Sequence, residues 1–226
     1  MIDLNGVGRD AIKDGFFQRM AEEGQRKGLI QLCTEEEREA SWRGIMSENP
    51  NPCESIWIFA YGSLLWNPAF HFVDRKDCSL FGYHRDFCLK TWVGRGSEDQ
   101  PGLVLGLKKG GSCRGQALKV DPSRLEEELH VIWSREMLSG AYRPKWVSLK
   151  TPDGPVNGVA FVMNTQSMHY AGDLEFEEIC HMLATARGAL GYAADYLFET
   201  ASAMRKIGIV DRRLTAYEQA VRRLRE

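Results

Sequence analysis

Apolar runs and turn-forming residues alternate through the middle of the chain. Every residue from Ile56 to Ala60 is apolar and most are strong β-formers, which is typical of a strand buried on both faces. Turn signals such as Lys108 to Gly111 and Pro152-Asp153-Gly154 separate the later candidates. The other predicted strands are Ser79–Tyr83, Phe87–Trp92, Leu103–Leu107, Gly115–Val120, Lys145–Leu149 and Val156–Met163. Short connections favour antiparallel pairing, and this many strands favours a small closed or nearly closed barrel.

Helical periodicity dominates both ends of the chain. Thr34 and Glu37 have the spacing of a capping box, which predicts a helix running through Trp42. Late in the chain, apolar residues recur at helical spacing in Glu175–Arg187, in Gly191–Ile207 and after Asp211, with Gly188 and Gly208 as expected helix ends. Strands followed by helices indicate an α+β fold, a small mostly antiparallel β-barrel with surrounding helices.

A composition change divides the chain into two predicted units. Residues 1–54 are polar and helix-prone and form an N-terminal helical extension and linker, since Pro50 and Pro52 disfavour helix within Glu48–Pro52. Residues 55–226 form the main domain. We expect the extension to pack on the outside of the barrel, because its apolar residues need cover; these are Phe16, Phe17, Leu29, Ile30, Trp42 and Ile45.

Overall composition narrows the class of partner. The 226 residues are 43% hydrophobic and 27% charged, which is ordinary for a soluble protein with one sizeable core. The net charge of −2 gives no basic field for nucleic acid or an anionic membrane, so we expect a small-molecule partner and no obligate protein partner. The N-terminus lacks a secretory signal and no long apolar run occurs, which predicts a cytoplasmic protein.

Metal and thiol chemistry find little support in the sequence. The six cysteines form no C-x-x-C pair and the histidines show neither ligand nor triad spacing. We therefore expect no metal site, no cofactor and reduced thiols at Cys33, Cys53, Cys78, Cys88, Cys113 and Cys180.

Glu136 is the first candidate for chemistry. Asp121-Pro122 is a typical helix start, and a helix from there to Met137 carries an apolar stripe that includes Leu129 and Ile132. Glu136 falls within that stripe. A carboxylate on an apolar face gains a partner, takes up a proton, or lies at a cavity wall. The pattern leaves open the alternative that the helix frays and Glu136 turns into solvent or pairs with an arginine.

The loop Tyr61-Gly62-Ser63-Leu64 is the second candidate. A buried strand stops here, so successive backbone amides lose their ladder partners and are able to cradle an anion or a developing oxyanion. An ordinary turn would have the same sequence. Ser63 is a weak candidate nucleophile, because the G-x-S-x-G elbow is absent and no histidine is placed to activate it.

Two segments together resemble the signatures of the ChaC family of glutathione-specific γ-glutamylcyclotransferases. They are Phe59-Ala60-Tyr61-Gly62-Ser63-Leu64 and the stretch from Trp133 to Tyr142, and the resemblance extends over about residues 55–222. It implies a γ-glutamylcyclotransferase-like barrel, a lyase that releases 5-oxoproline and cysteinylglycine from glutathione without a cofactor. Glu136 would be the catalytic residue, and the implied substrate-binding residues are Phe59, Ala60, Tyr61, Gly62, Ser63, Leu64 and Tyr142. Ala60 stands where many relatives have glycine, and a methyl group there would narrow the pocket.

The implied chemistry suits a lone carboxylate. The α-amino nitrogen of glutathione reaches its own γ-carbonyl, so the attack is intramolecular and needs no protein nucleophile. One carboxyl of raised pKa is able to take the ammonium proton and return it to the leaving nitrogen. Two alternatives stay open, a cyclotransferase for another γ-glutamyl amine and a noncatalytic γ-glutamyl-binding regulatory barrel. The presence of Glu136 argues against the second.

Overall fold

A closed barrel organises the chain, whose computed structural model describes residues 8–52 and 55–226. Its strand order is β1-β3-β2-β4-β5, antiparallel except where β1 and β5 close the barrel in parallel. The strands are β1 (Trp57–Ala60), β2 (Phe72–Thr91), β3 (Gly102–Val120), β4 (Tyr142–Thr151) and β5 (Gly154–Met163). The predicted α+β fold, with a small mostly antiparallel barrel, is confirmed.

Two strands are much longer than predicted. Ser79–Tyr83 and Phe87–Trp92 were predicted as separate strands, but both belong to β2, which ends at Thr91. The turn predicted at Lys108–Gly111 is wrong, because those residues continue β3. Gly110 in β3 and Gly82 in β2 both have positive φ, and the register shifts beside Gly82. Positive φ is the geometry of a β-bulge as well as of a turn, so these glycines bend the ladder without reversing the chain.

Helices precede and follow the barrel strands along the chain, and one helix lies between β3 and β4. Thr34 caps α3 through the predicted capping box with Glu37, and Asp211 caps α7. No helix among the described residues has the length and apolar composition needed to cross a membrane. The helices are α1 (Arg9–Lys13), α2 (Phe16–Arg26), α3 (Glu35–Ser47), α4 (Leu125–Glu136), α5 (Phe176–Thr185), α6 (Ala193–Lys206) and α7 (Arg212–Leu224).

One predicted helix end needs correction. Helix α5 ends at Thr185, and Gly188 belongs to a short hairpin of β6 (Arg187–Gly188) and β7 (Gly191–Tyr192). A Cβ at Gly188 would collide with the carbonyl oxygens of the loop after β2, so this glycine permits a close backbone crossing. The other predicted stop is confirmed, since Gly208 follows α6 with φ of 69°.

Strand β1 is buried on both faces, as predicted. Phe59 packs into one apolar cluster with α5, α6 and α7, whereas Ile58 and Ala60 pack into a second cluster with α3 and α4. Alternation of side chains along the strand explains this division. The two faces of β1 therefore belong to two packed layers, each shared with a different set of helices.

The N-terminal extension is fastened to α4. Trp42 of α3 belongs to the second apolar cluster, and the indole of Trp133 donates a 3.0 Å hydrogen bond to Ser41 Oγ. The guanidinium of Arg9 pairs with Glu128, whose side chain is fully buried. These contacts agree with the expectation that the extension covers the domain. The proposed boundary at residue 54 and Cys53 lie outside the described residues, and the division into two domains stays a prediction.

Candidate active site

Glu136 is the last residue of α4 and its side chain is only 12% exposed. Burial raises the pKa of the Glu136 carboxyl, while the charge of Arg135 acts in the opposite direction. Arg135 Nε lies 3.1 Å from Glu136 Oε1, but that oxygen makes no hydrogen bond within the described chain. The negative end of the helix macrodipole also disfavours a carboxylate here. The helix persists to Glu136 and the side chain is largely buried, so it does not turn into solvent, but it does pair with Arg135.

The predicted loop follows β1 directly and enters a 3-10 turn at Ser63–Leu65. Within the described residues, the amides of Gly62, Ser63 and Leu64 have no main-chain acceptor. A Cβ on Gly62 would lie 2.9 Å from the Tyr196 hydroxyl oxygen, so the lack of a side chain lets this tyrosine approach the loop. The Ser63 amide faces the same hydroxyl. The loop thus presents a row of backbone donors beside a buried phenol.

Three buried tyrosine hydroxyls converge on this loop. Tyr61 donates to the Phe161 carbonyl at 3.0 Å, and Tyr142 donates to the Leu105 carbonyl at 2.7 Å. The Tyr196 hydroxyl accepts from the Leu105 amide at 3.4 Å. Burial raises the pKa of Tyr196 to about 12 and raises the pKa of Tyr61 and Tyr142 well above the ordinary value. All three therefore stay protonated at neutral pH.

Arg135 ties the loop to the end of α4. Its Nη2 donates to Ser63 Oγ at 2.7 Å and its Nη1 donates to the Asn67 carbonyl. The residue that precedes Glu136 thereby holds the loop next to the carboxyl. Arg135 was not among the predicted site residues, and neither was Tyr196. In the sequence, Arg135 is marked only by its position beside Glu136, and Tyr196 only by its position in the predicted helix Gly191–Ile207.

Two cavities meet at the carboxyl. The smaller is lined by Tyr61–Leu64 together with Leu105, Glu136, Tyr142, Phe161 and Tyr196. The larger is an open cleft. Ser63, Glu136, Tyr142 and Tyr196 line both cavities and therefore mark their junction. A ligand that extends from the smaller cavity into the cleft would have its middle part beside Glu136.

Most of the predicted site residues come together in this structure, and two do not. Tyr61, Gly62, Ser63, Leu64, Glu136 and Tyr142 surround the smaller cavity. Phe59 and Ala60 are fully buried in β1 and line neither cavity. Strand alternation directs their side chains into the two packed layers, so the Ala60 methyl group meets the core and not a cavity.

Curated relatives share most of this chain. A protein of Escherichia coli strain K12 named glutathione-specific gamma-glutamylcyclotransferase is 39% identical over 194 residues, which are 85% of this chain and 84% of that protein. Human glutathione-specific gamma-glutamylcyclotransferase 1 is 32% identical over 180 residues, 76% of this chain and 81% of the human protein.

Solved structures share the fold. The crystal structure of a yeast gamma-glutamyl cyclotransferase specific to glutathione superposes with a TM-score of 0.71 at 18% identity. The superposition covers 76% of this chain and 98% of the yeast chain. The model of the ChaC-like protein family matches residues 56–224, which include the barrel, the Tyr61–Leu64 loop and Glu136. With three quarters of its length matched in this way, the chain belongs to the ChaC-like protein family.

Proposed function

We propose that this protein cleaves glutathione by intramolecular cyclisation of the γ-glutamyl group, releasing 5-oxoproline and cysteinylglycine. The observation that carries the proposal is the largely buried Glu136 carboxyl at the junction of a donor-lined cavity and an open cleft. The names of the E. coli and human relatives support the choice of glutathione.

Glu136 serves as both base and acid in this proposal. The α-amino nitrogen, as the free amine, attacks the γ-carbonyl carbon and gives up one proton to the Glu136 carboxylate, which closes a five-membered ring. The tetrahedral oxyanion then expels the cysteinyl nitrogen as Glu136 returns the proton to it. One C–N bond forms and one breaks, and no water is consumed. A raised pKa brings the carboxyl closer to the value at which both transfers are efficient.

The loop residues bind the γ-glutamyl end and stabilise the oxyanion. Among the described residues the amides of Gly62, Ser63 and Leu64 have no main-chain acceptor, and the Ser63 amide bonds the Tyr196 hydroxyl. Preorganised donors of this kind stabilise a tetrahedral intermediate strongly. Tyr61 and Tyr142 line the cavity that holds the γ-glutamyl group. Tyr196 stays protonated beside the Ser63 amide. Arg135 acts as a positioning residue, because its contact is with the loop.

Product analysis tests the proposal directly. The protein is incubated with glutathione, and 5-oxoproline and cysteinylglycine are quantified; both are expected in equal amounts. N-acetylglutathione and the α-linked peptide Glu-Cys-Gly should give no 5-oxoproline, because the first lacks a nucleophilic amine and the second lacks the γ-linkage. Faster release of 5-oxoproline from another γ-glutamyl amine would reassign the substrate. Binding of glutathione without any product would favour a regulatory barrel.

A further inference from the structure

The larger cleft has a wall that the family match does not include. Phe17, Met20 and Ala21 of α2, together with Ile30, line the same cleft as Glu136. All four precede residue 56, where the matched region begins. The sequence placed these residues on the outside of the barrel, but α2 instead reaches the rim of the candidate active site.

Helix α2 is seated closely against the loop after β2. A Cβ on Gly24 would lie 2.7 Å from Val93 Cγ1 and 3.3 Å from Ile30 Cδ1, so the helix backbone packs directly on that loop. A Cβ on Gly94 would lie 3.8 Å from Met20 Cε, which puts the Met20 methyl group at the same loop. Ala21 is fully buried. This packing makes α2 a fixed part of the cleft.

The smaller cavity, Glu136 and the cleft follow one another in space, and this order determines whether α2 faces the γ-glutamyl or the cysteinylglycine half of glutathione. This step rests on the proposed function. The γ-glutamyl end occupies the smaller cavity beside the loop amides, and Glu136 protonates the leaving nitrogen at the junction. The leaving cysteinylglycine must therefore extend into the larger cleft, where α2 forms one side.

The chemistry of the wall fits the cysteinyl side chain. The α2 side is apolar, and Val93 and Leu190 continue it across the cleft. Arg95 lies on the cleft with a side chain only 9% exposed, 3.7 Å from Asp195 and 3.9 Å from Glu199. On the α2 side, an apolar wall accepts a small thiol or alkyl group, whereas a carboxylate against it would lose hydration. The Arg95 guanidinium on the same cleft already lies near two carboxylates, those of Asp195 and Glu199.

We propose that α2 is a specificity-determining wall of the active site, with Phe17 and Met20 contacting the cysteinyl residue of glutathione. The wall favours a small apolar or thiol side chain at that position and rejects an acidic one. The N-terminal extension is accordingly part of the substrate-binding site as well as a cover for the barrel.

Two substitutions and a matched control test the wall. Phe17→Ala and Met20→Ala should each raise KM for glutathione about tenfold while kcat stays within about twofold, since lost apolar contacts in a pocket change specificity on this scale. KM for γ-glutamylglycine, which has no side chain at the cysteinyl position, should change far less. Gln18→Ala truncates a neighbouring residue of α2 that lines neither cavity and whose side chain bonds the exposed Glu22, and it should leave both constants unchanged.

Affinity measurements separate this proposal from the proposed function. Calorimetry gives the affinity of Glu136→Gln protein for glutathione, with and without Phe17→Ala. The difference between the two affinities measures the contribution of Phe17 in the absence of turnover. An unchanged affinity and KM in the Phe17 and Met20 variants would overturn the wall while leaving the cyclisation chemistry in place. An equal rise in KM for both substrates, or a rise in Gln18→Ala, would also overturn it. Wild-type protein that binds glutathione but forms no 5-oxoproline would overturn only the proposed chemistry.

Discussion

At the scale of single residues, two opposed effects act on the pKa of the Glu136 carboxyl. Its side chain is largely buried at the C-terminal end of α4, and both conditions favour the protonated carboxyl. Arg135 beside it favours the ionised form. The balance is a raised pKa in a group that is still able to ionise. That is the property required of a side chain that must first accept a proton and then return it.

Substitution of Glu136 by glutamine should remove most activity and preserve the fold. General acid–base catalysis by one group contributes about 10² to 10⁴ in rate, so kcat for 5-oxoproline release should fall by that factor. If the loop amides supply most of the binding, as proposed, glutathione affinity should change by less than about tenfold, which corresponds to about 1.4 kcal/mol. Steady-state kinetics and calorimetry measure the two quantities.

Glu126→Gln is the matched control for this substitution. Glu126 lies on the same helix with a side chain that is 75% exposed, so the same change there should leave kcat unaffected. Near-normal kcat in Glu136→Gln would contradict the catalytic assignment. A loss of activity accompanied by unfolding would show that Glu136 has only a structural role.

The raised pKa of Glu136 also predicts how stability depends on pH. Burial raises this pKa above its ordinary value of 4.5, so the folded protein binds the proton more tightly than the unfolded chain does. The stabilisation is fully present below pH 4.5 and is lost as the pH rises through the folded-state pKa. Glu136→Gln should therefore have a higher Tm than wild type at pH 7, and the difference should vanish near pH 4. A Tm difference that grows on acidification would contradict this cause.

Sequence reasoning reached Glu136 but not its partners. An acidic residue on an apolar helical stripe is visible in the sequence, because period and position are local properties. Tyr196 and Arg135 act through the Ser63 amide and hydroxyl, and only the packing of α6 and α4 against the loop creates those contacts. Phe59 and Ala60 belong to the predicted motif, but strand alternation buries both in the packed layers.

At the scale of elements, the site depends on how loops are held. The loop after β2 carries Arg95 and crosses the β6–β7 hairpin closely enough that Gly188 has no room for a side chain. Leu190 in that hairpin donates its amide to the Gly94 carbonyl at 2.8 Å. The hairpin therefore fixes the far rim of the cleft.

Gly188→Ala should destabilise the protein and impair the cleft together. The new methyl group would collide with the carbonyl oxygens of Gly94 and Gly96, which are backbone atoms and yield little. Overpacking of this kind costs about 1 to 3 kcal/mol, and displacement of the loop should raise KM for glutathione. Denaturant unfolding and steady-state kinetics measure the two effects.

Gly44→Ala provides the contrasting control. Gly44 lies inside α3, and a Cβ there meets nothing within 4 Å. Alanine should therefore stabilise the helix by about 0.5 to 1 kcal/mol with no change in KM. An unaltered stability in Gly188→Ala would refute the close crossing of the hairpin and the loop.

Secondary structure was predicted correctly where it depends on the local pattern of residues. It was predicted wrongly where one local pattern is compatible with two structures, a turn or a bent strand. Strand β1 and the capped start of α3 follow from composition and spacing. Gly110 and Gly111 are typical of a turn, yet here they lie in a continuous strand, because a facing strand with its own glycine bends with them. Whether a pair of glycines forms a turn or a bend depends on the partner strand, and the local sequence does not determine which strand that is.

At the scale of the whole molecule, the extension and the barrel share one site. Apolar residues in residues 8–47 predicted that the segment needs cover, and it does pack on α4. That α2 also lines the cleft depends on the path of the chain around the barrel. No periodicity encodes that path, so the sequence predicted that the extension packs on the outside of the barrel but not that α2 reaches the cleft.

Arg9 is the point at which this whole-molecule arrangement is most open to test. Its guanidinium pairs with Glu128, a fully buried carboxylate that also accepts from the His71 amide at 2.9 Å. Burial opposes the charge, but hydrogen bonds from Arg9 and His71 more than offset it and hold the pKa of Glu128 below its ordinary value. Lys13, one turn further along α1, pairs at 2.6 Å with the more exposed Glu127. Both residues join α1 to α4, but Arg9 reaches the buried Glu128 and also Glu127 at 2.7 Å, whereas Lys13 contacts the more exposed Glu127.

Arg9→Gln should lower Tm and raise KM for glutathione, whereas Lys13→Gln should do neither. Loss of a buried partner costs up to about 3 to 5 kcal/mol, and the His71 contact that remains should keep the effect below that range. Because the folded-state pKa of Glu128 is lowered, the stabilisation exists above pH 4.5 and is lost as the pH falls through that pKa. The Tm difference between wild type and Arg9→Gln should therefore shrink on acidification, which calorimetry at several pH values measures. If Arg9→Gln lowers Tm but leaves KM unchanged, the Arg9–Glu128 pair stabilises the fold but is not needed to hold α2 at the cleft.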